Sequence, residues 1–531
     1  MVLGSSSAHR AVSDLARTRR VVTSAIAVLA MLVAGCATLP PPEGRTETHA
    51  FVDTATTRLG RAIAPEVAAH PGLSGVHKFP DPRDAFAARM LLAGAAEKSI
   101  DAQYFIWNGD EVGYLLWEAL WKAAERGVRV RLLLDDANTL GNDATIAALD
   151  AHPNIEVRLY NPFTQRGSRS LGYLTDFKRL NRRMHNKSFT ADNQMTVVGG
   201  RNIANEYFGA GEGIGFADTD VVAIGPIVKD VSREFDLYWN SASAYPAAGF
   251  VGTAGPDAAE KLLARFAQKR ADAIAVAYLD AVEKTTLMDE LRDRTLRFEW
   301  ITGTVLYDDP AKTLDAQARP DVLLAPELVK SLGMPEKSLD IVSPYFVPGD
   351  QGTAALSELA RRGVRVRILT NSLAASDESV VHTGYARRRT VLLTAGVALW
   401  ELKPTATDES LKVKGRFGSA KVAGLHAKTY AVDSRRIFVG SFNFDQRSEK
   451  LNTEMGIVLD SARFAGDLAQ VFDELVPSIA YEVRLAPDGN GLVWIERTSS
   501  GDLRYDTEPQ TSWWLRTKVE LLSILPIEWL L

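Results

Sequence analysis

Leu425-His426-Ala427-Lys428-Thr429-Tyr430-Ala431-Val432-Asp433, followed by Ser434 to Val439 and then Gly440-Ser441-Phe442-Asn443, is the stretch that decides the fold. A histidine and a lysine two apart in a strand share one face, because strand side chains alternate with period two. Tyr430 and Val432 continue that register, while Ala427, Thr429 and Ala431 point the other way. Asp433-Ser434 reads as a turn and Ile437-Phe438-Val439 as a short buried strand. Gly440-Ser441-Phe442-Asn443 then places a tight turn beside the same face. One imidazole, one ammonium, one hydroxyl and one amide thereby converge on a small volume. That set suits a tetrahedral anion: Lys428 and Asn443 supply donors for phosphate oxygens, and His426 attacks phosphorus or moves a proton.

The pattern occurs twice. His185-Asn186-Lys187, Asp192 and Gly199-Gly200-Arg201-Asn202 repeat its spacing, with four residues between Lys and Asp and six between Asp and Gly. The two copies resemble the phospholipase D superfamily, whose signature is HxKxxxxD followed by GSxN. Gly200 stands where that signature has serine, so a hydroxyl contact is missing from the first copy.

The surroundings repeat as well. Asp81–Ala96 has helical spacing, Lys98–Ile106 reads as a strand, Val112–Arg126 as a helix and Val128–Asp135 as a strand. Lys337–Asp340, a helix from Gly352 to Arg362 and the strand Val364–Leu369 restate that order. Lys98, Gly127 and His185 recur as Lys337, Gly363 and His426, at a nearly constant interval of about 240 residues. The fold expected is α/β: two duplicated phospholipase D-like domains, each a mixed sheet flanked by helices, related by a pseudo-two-fold axis. The boundaries expected are 76–250 and 336–480, with a connector at 251–335. In the connector, Ala258–Leu296 reads as helix and Trp300–Tyr307 as a strand.

At 531 residues the chain exceeds one core, and 46% hydrophobic with 24% charged residues is a globular composition. Lysine and arginine total 61 against 66 acids, a net charge of −5, which offers no global excess for nucleic acid. Residues 1–35 read as a signal segment: Arg17, Arg19 and Arg20 precede the apolar run Val21–Ala34, too short to span a bilayer. Val33-Ala34-Gly35-Cys36 resembles a lipoprotein box and makes Cys36, the single cysteine, the expected lipidation site. Ala37 after it favours the outer membrane among such lipoproteins. A lipidated linker at 36–75 follows. The tail at 481–531, rich in tryptophan from Trp513 to Leu531, is expected to contact the membrane.

The segments Thr175–Lys187, Gly199–Ile203, Gly440–Ser448 and Leu451–Glu454 resemble bacterial cardiolipin synthases of the C-type branch, over about residues 75 to 531. The resemblance implies a catalytic set of His185, Lys187, Asp192, His426, Lys428 and Asp433, in which the two aspartates fix the strand turn. Asn202, Ser441 and Asn443 would bind or support the substrate phosphate. Asp220 and Glu454 would orient the histidines by accepting the other ring N–H, an equivalence that needs a seven-residue insertion in the first half. His382 and the run Arg387-Arg388-Arg389 would meet a second headgroup phosphate, against the plain reading of a solvated helix face. The activity implied is phosphatidyl transfer through a phosphohistidine, with His185 the nucleophile, phosphatidylethanolamine or phosphatidylglycerol the donor and phosphatidylglycerol the acceptor. The same residues would run a hydrolytic phospholipase D, and a nuclease or a silent membrane scaffold are further readings. No metal or other cofactor is expected, nor a nucleic-acid partner. The expected partners are phospholipids and the membrane, at the periplasmic face of a bacterial envelope.

Overall fold

The computed structural model describes residue 39, residues 44–210, 215–293, 295–314, 321, 323–376, 378–404, 422–489, 491–524 and 528–531. Cys36 and the signal segment lie outside the described residues. The first half contributes β1 (Ser74–Phe79), β2 (Ser99–Tyr104), β3 (Arg129–Asp135), β4 (Ile155–Tyr160), β5 (Ser188–Ala191), β6 (Met195–Gly199), β7 (Gly215–Ala217), β8 (Asp220–Ile224) and β9 (Ala244–Pro246). The connector adds β10 (Glu299–Ile301) and β11 (Gly303–Tyr307). The second half adds β12 (Ser338–Val342), β13 (Arg365–Asn371), β14 (Ala398–Leu402), β15 (Val422–Leu425), β16 (Lys428–Val432), β17 (Arg436–Gly440), β18 (Met455–Asp460), β19 (Ala480–Leu485), β20 (Leu492–Thr498) and β21 (Gly501–Tyr505).

Among the described residues these strands form two large mixed sheets, in the orders β10-β1-β8-β6-β5-β2-β3-β4-β9 and β11-β18-β17-β16-β12-β13-β14-β19-β20-β21, and a two-stranded parallel sheet, β15-β7, that pairs the halves. In each, three parallel strands (β2-β3-β4, β12-β13-β14) adjoin the antiparallel hairpin that carries the motif aspartate. The helices Pro82–Ala95, Glu111–Glu125 and Gly349–Arg361 lie within a few residues of their expected spans. One apolar cluster joins the halves: Val198, Val221 and Ala223 of the first sheet pack with Ala427, Val439 and Ile457 of the second. The faces turned away from that seam carry separate clusters under their own helices.

The domain boundaries differ from expectation in three places. Residues from Arg45 onward already belong to the body: the Arg45 guanidinium donates to the Ser241 carbonyl at 2.7 Å, and a helix spans Arg58–Ala69. The connector strand bends at Thr302, so that β10 joins the first sheet and β11 the second, and the expected single helix is three, Ala258–Arg270, Ala273–Glu283 and Thr286–Arg292. The second domain does not end at 480, because β19, β20 and β21 extend its sheet to Tyr505. Alternating apolar residues (Tyr481, Val483, Leu485) and the Asp488-Gly489 turn were the signals for these strands. The tail helix proper is Trp513–Ser523.

Candidate active site

Each motif aspartate sits at a hairpin turn. Asp192 and Asn193 have φ of 52° and 50°, Asp433 and Ser434 of 53° and 50°. Two consecutive positive φ values, with the Gln194 and Arg435 N–H groups donating back to Ala191 and Val432 carbonyls, define tight primed turns in which Asp and Asn are tolerated. Asp192 accepts from the backbone N–H groups of Glu97, Lys98 and Ser99, and Asp433 from those of Glu336, Lys337 and Ser338. Both aspartates therefore lock the turn to the neighbouring strand through their carboxylates.

The histidines precede their strands: β16 begins at Lys428 and β5 at Ser188, so each imidazole stands at a strand mouth and not within it. The backbone there pairs across the halves. His185 N–H donates to the Thr453 carbonyl at 2.8 Å and Thr453 N–H to the Arg183 carbonyl at 2.9 Å. His426 N–H and Ala427 N–H both donate to the Ala217 carbonyl, where β15 runs parallel to β7. Each histidine is thus fixed by the segment of the other half that carries an acid.

Those acids are Glu454 and Asp218. His185 Nδ1 lies 2.8 Å from Glu454 Oε2, and His426 Nδ1 lies 2.7 Å from Asp218 Oδ2. An ionised carboxylate only accepts, so beside Asp218, and beside Glu454 in its ionised form, Nδ1 carries the proton and Nε2 keeps its lone pair. The expectation that Asp220 orients a histidine is corrected: Asp220 is fully buried against Arg89, 2.9 Å away, and Arg201. Strand register explains the error. Asp220 pairs with Gly199 and Gly456 with Gly440, so the residues two positions earlier, Asp218 and Glu454, are the equivalents.

The missing serine has a cause in the same pair. Ser441 donates from Oγ to Glu454 Oε2 at 2.5 Å, and Ser448 to Oε1 at 2.8 Å. At Gly200 a Cβ would stand 2.3 Å from Asp218 Oδ1, so the aspartate carboxylate occupies the space of a side chain. Arg201, fully buried, donates to the Asp218 carbonyl at 2.5 Å.

Lys187 Nζ donates to the His185 carbonyl at 2.5 Å, and Lys428 Nζ to the His426 carbonyl. Asn202 takes the Ile106 N–H on its Oδ1, and its buried Nδ2 has no hydrogen-bond partner among the described residues, a donor that a phosphate oxygen would satisfy. Burial, then Lys187 and Lys428, push the His185 imidazole well below its usual range. Burial and Lys428 push His426 down to about 3 in spite of Asp218, and Lys187 of the other half adds to the effect. The two half-sites therefore act on one another. Burial favours the neutral acid at both carboxyls. At Asp218 it is outweighed by His426, Lys428 and Arg201, which hold the group at about 2. At Glu454 it prevails over Lys187 and the serine hydroxyls and lifts the group to about 7. Lys187 is itself driven well below the usual lysine range, by burial and Lys428. Cations crowded in this way suit an anion: a phosphate bound among them would relieve the crowding and raise both imidazoles.

Residues not anticipated as functional support this arrangement. Asn186 Nδ2 donates to Glu234 Oε1 at 2.7 Å, and Asn186 Oδ1 accepts from Thr453 Oγ at 3.1 Å. Ser448, likewise not anticipated, accepts the N–H of the anticipated Asn443 on its Oγ at 3.3 Å. His382 is not brought to the motif residues: it is buried between Glu508, 3.0 Å away, and Arg389, while Arg388 pairs with Asp350 and Glu528. Carboxylates from the tail thus occupy much of the basic run. Among the described residues no cluster of three or more His, Cys, Asp or Glu is arranged to hold a metal.

The sequence matches the family described as "Cardiolipin synthase, PLD-like domain" twice, over residues 91–239 and 328–476. It is 47% identical over 475 residues to cardiolipin synthase C of Escherichia coli K12, covering 89% of this chain and 100% of that protein. An uncharacterized protein of Helicobacter pylori 26695 is 30% identical over 480 residues, covering 89% and 93%. In fold, the chain is similar to the crystal structure of phosphatidylserine synthase from Haemophilus influenzae, with a TM-score of 0.51, 13% identity and 80% and 91% of the two chains covered.

Proposed function

The chain belongs to the phospholipase D-like cardiolipin synthase family, and from that premise we propose that it transfers a phosphatidyl group to phosphatidylglycerol, making cardiolipin. The observation that carries the reading is the exchange of acids between halves, which occupies both Nδ1 atoms and leaves both Nε2 atoms for chemistry, beside two lysines that each bear on both imidazoles. The donor is phosphatidylethanolamine or phosphatidylglycerol.

His185 Nε2 attacks phosphorus in line, and the P–O bond to the headgroup alcohol breaks as His426 Nε2–H delivers a proton to the departing oxygen. His426 then takes the hydroxyl proton of phosphatidylglycerol, whose oxygen attacks phosphorus and breaks the P–N bond. Lys187, Lys428, Asn202 and Asn443 donate to the non-bridging oxygens, where charge accumulates. The asymmetry of the acids supports this division of labour. Asp218, held ionised, favours a proton on His426 once phosphate is bound, whereas Glu454 at about 7 offers His185 less counter-charge.

The membrane relationship is part of the same proposal. Among the described residues no helix is long and apolar enough to cross a bilayer. Trp514 is 73% exposed and Ile524 77%, with Trp513 and Leu521 also exposed on the tail helix, a surface that suits the headgroup layer. Acylation at Cys36 would tether the body to the periplasmic face of a bacterial membrane, the outer one favoured.

Lipid extraction from cells expressing the chain or its His426→Ala variant tests the reaction. A four-chain phospholipid that disappears with the substitution is expected, and labelled donors identify which headgroup is released. Phosphatidic acid alone would make it a hydrolase. Cys36→Ser is expected to release the body from membranes unless the tail helix retains it.

A further inference from the structure

A cavity of about 390 Å³ opens between the helices Leu324–Leu332 and Gly349–Arg361 and the outer face of the second sheet. Leu328, Leu332, Leu339, Ile341, Leu356 and Leu359 make its walls. Its size falls within the range of ligand pockets, and its position relates it to the reacting groups. Tyr430 and Val432 line it, two and four residues beyond Lys428 on β16, so the cavity lies along the face that the lysine begins. Phe442 and Phe444 also line it, and they bracket Asn443. The Tyr430 hydroxyl donates to the Phe442 carbonyl, tying the strand to that loop.

The duplication shows what is unusual here. The counterparts of Tyr430 and Val432 are Phe189 and Ala191, both fully buried in the cluster beneath the helix Pro82–Ala95. That helix has 14 residues, and its outer side is covered by Ala273–Glu283 and Thr286–Arg292, through Tyr278 and Leu287. The corresponding helix of the second half has nine residues, and a cavity remains. Its lip is apolar and exposed, at Val329 (57%) and Met334 (62%). Glu449, Asp445, Gln446 and Gln351 supply the polar part of the lining, with no lysine or arginine among the lining residues. A free fatty-acid carboxylate would face those acids with no lysine or arginine in the lining, the Arg436 guanidinium behind Gly333 being turned to the Ser331 and Leu332 carbonyls. An esterified chain brings no charge.

We propose that this cavity holds one acyl chain of a phospholipid whose phosphate sits at Lys428 and Asn443. The inference rests on the phosphatidyl-transfer reading and adds selectivity for long chains, because each methylene that the cavity removes from water strengthens binding.

The test uses the full chain in detergent micelles with a phosphatidylglycerol carrying a diazirine midway along one acyl chain. After irradiation, adducts are mapped by peptide mass spectrometry. Adducts on 324–332 and 349–361 are expected, and Ala355→Trp, which fills the cavity, or Val329→Glu, which charges its lip, should lower them about tenfold. Both variants should lose turnover of dioleoyl lipid by a similar factor and retain turnover of dihexanoyl lipid. Adducts confined to 513–524, or unchanged in both variants, would overturn the inference. Turnover without cavity labelling removes the acyl site alone. Labelling of the cavity in a chain that makes no cardiolipin keeps the site and removes the transfer reading.

Discussion

Glu454 of the second half accepts the Nδ1 proton of His185 of the first at 2.8 Å, and Asp218 returns the arrangement to His426 at 2.7 Å. Neither half owns a finished site. Each imidazole is aimed by a carboxylate and by a backbone carbonyl from across the seam, which is why the shared apolar cluster matters for chemistry as well as for stability.

Asp218→Asn and Asp220→Asn are expected to separate. The first should lower kcat roughly 10²- to 10⁴-fold with little change in melting temperature, because it removes the anion that supports a protonated His426. The second takes the counter-charge from buried Arg89, which keeps only Tyr104 Oη and the Ala85 carbonyl, and should destabilise by about 3–5 kcal/mol while folded molecules keep turning over. Parallel melting and turnover measurements decide between them.

Gly200→Ser should be damaging alone, since its Cβ enters the space of the Asp218 carboxylate. Adding Asp218→Glu recreates the Ser441–Glu454 pairing of the other half. A double-mutant cycle on turnover is expected to show a favourable coupling of about 1 kcal/mol or more, and strict additivity would contradict the pairing.

Asp192→Ala removes one acceptor from three buried or half-buried N–H groups and should cost about 1–3 kcal/mol of stability. Turnover per folded molecule should be preserved, as the carboxylate faces a turn and not the substrate.

Glu234 provides a pH signature. Burial lifts it to about 8 although Asn186 and Gln103 both donate to it. A carboxyl raised on folding binds its proton more tightly in the native state, so its contribution is present at low pH and is lost as pH rises from the unfolded value through about 8. Glu234→Gln abolishes that loss. Its melting temperature relative to the parent should climb by about 2 °C or more between roughly pH 5 and pH 9; a constant difference would show that the group does not titrate there.

Much of this was legible in the sequence because the duplication supplies an internal control. His185, Lys187 and Asn202 were identified by their twins, and the strand–helix alternation around Gly127 and Gly363 fixed the fold class. Asp218 was missed because Ala217-Asp218-Thr219-Asp220 offers two acids, and only strand register, a non-local property, chooses between them. The strands after Ala480 were hidden by reading the whole tail through its tryptophans. His382 is expected at a phosphate only through the family resemblance, whereas Glu508, far away in sequence, stands 3.0 Å from its ring. The bend at Thr302 that divides one apolar run between two sheets leaves no local mark.

The central claim, one phosphorus atom between two unequal imidazoles, is tested most directly with a phosphatidyl ester of p-nitrophenol, whose leaving group needs no proton. The account predicts that His426→Ala releases about one equivalent of p-nitrophenolate and stops with His185 modified, as read by mass spectrometry, while His185→Ala releases none. A burst from His185→Ala with the adduct on His426, or steady turnover by either variant, would contradict it.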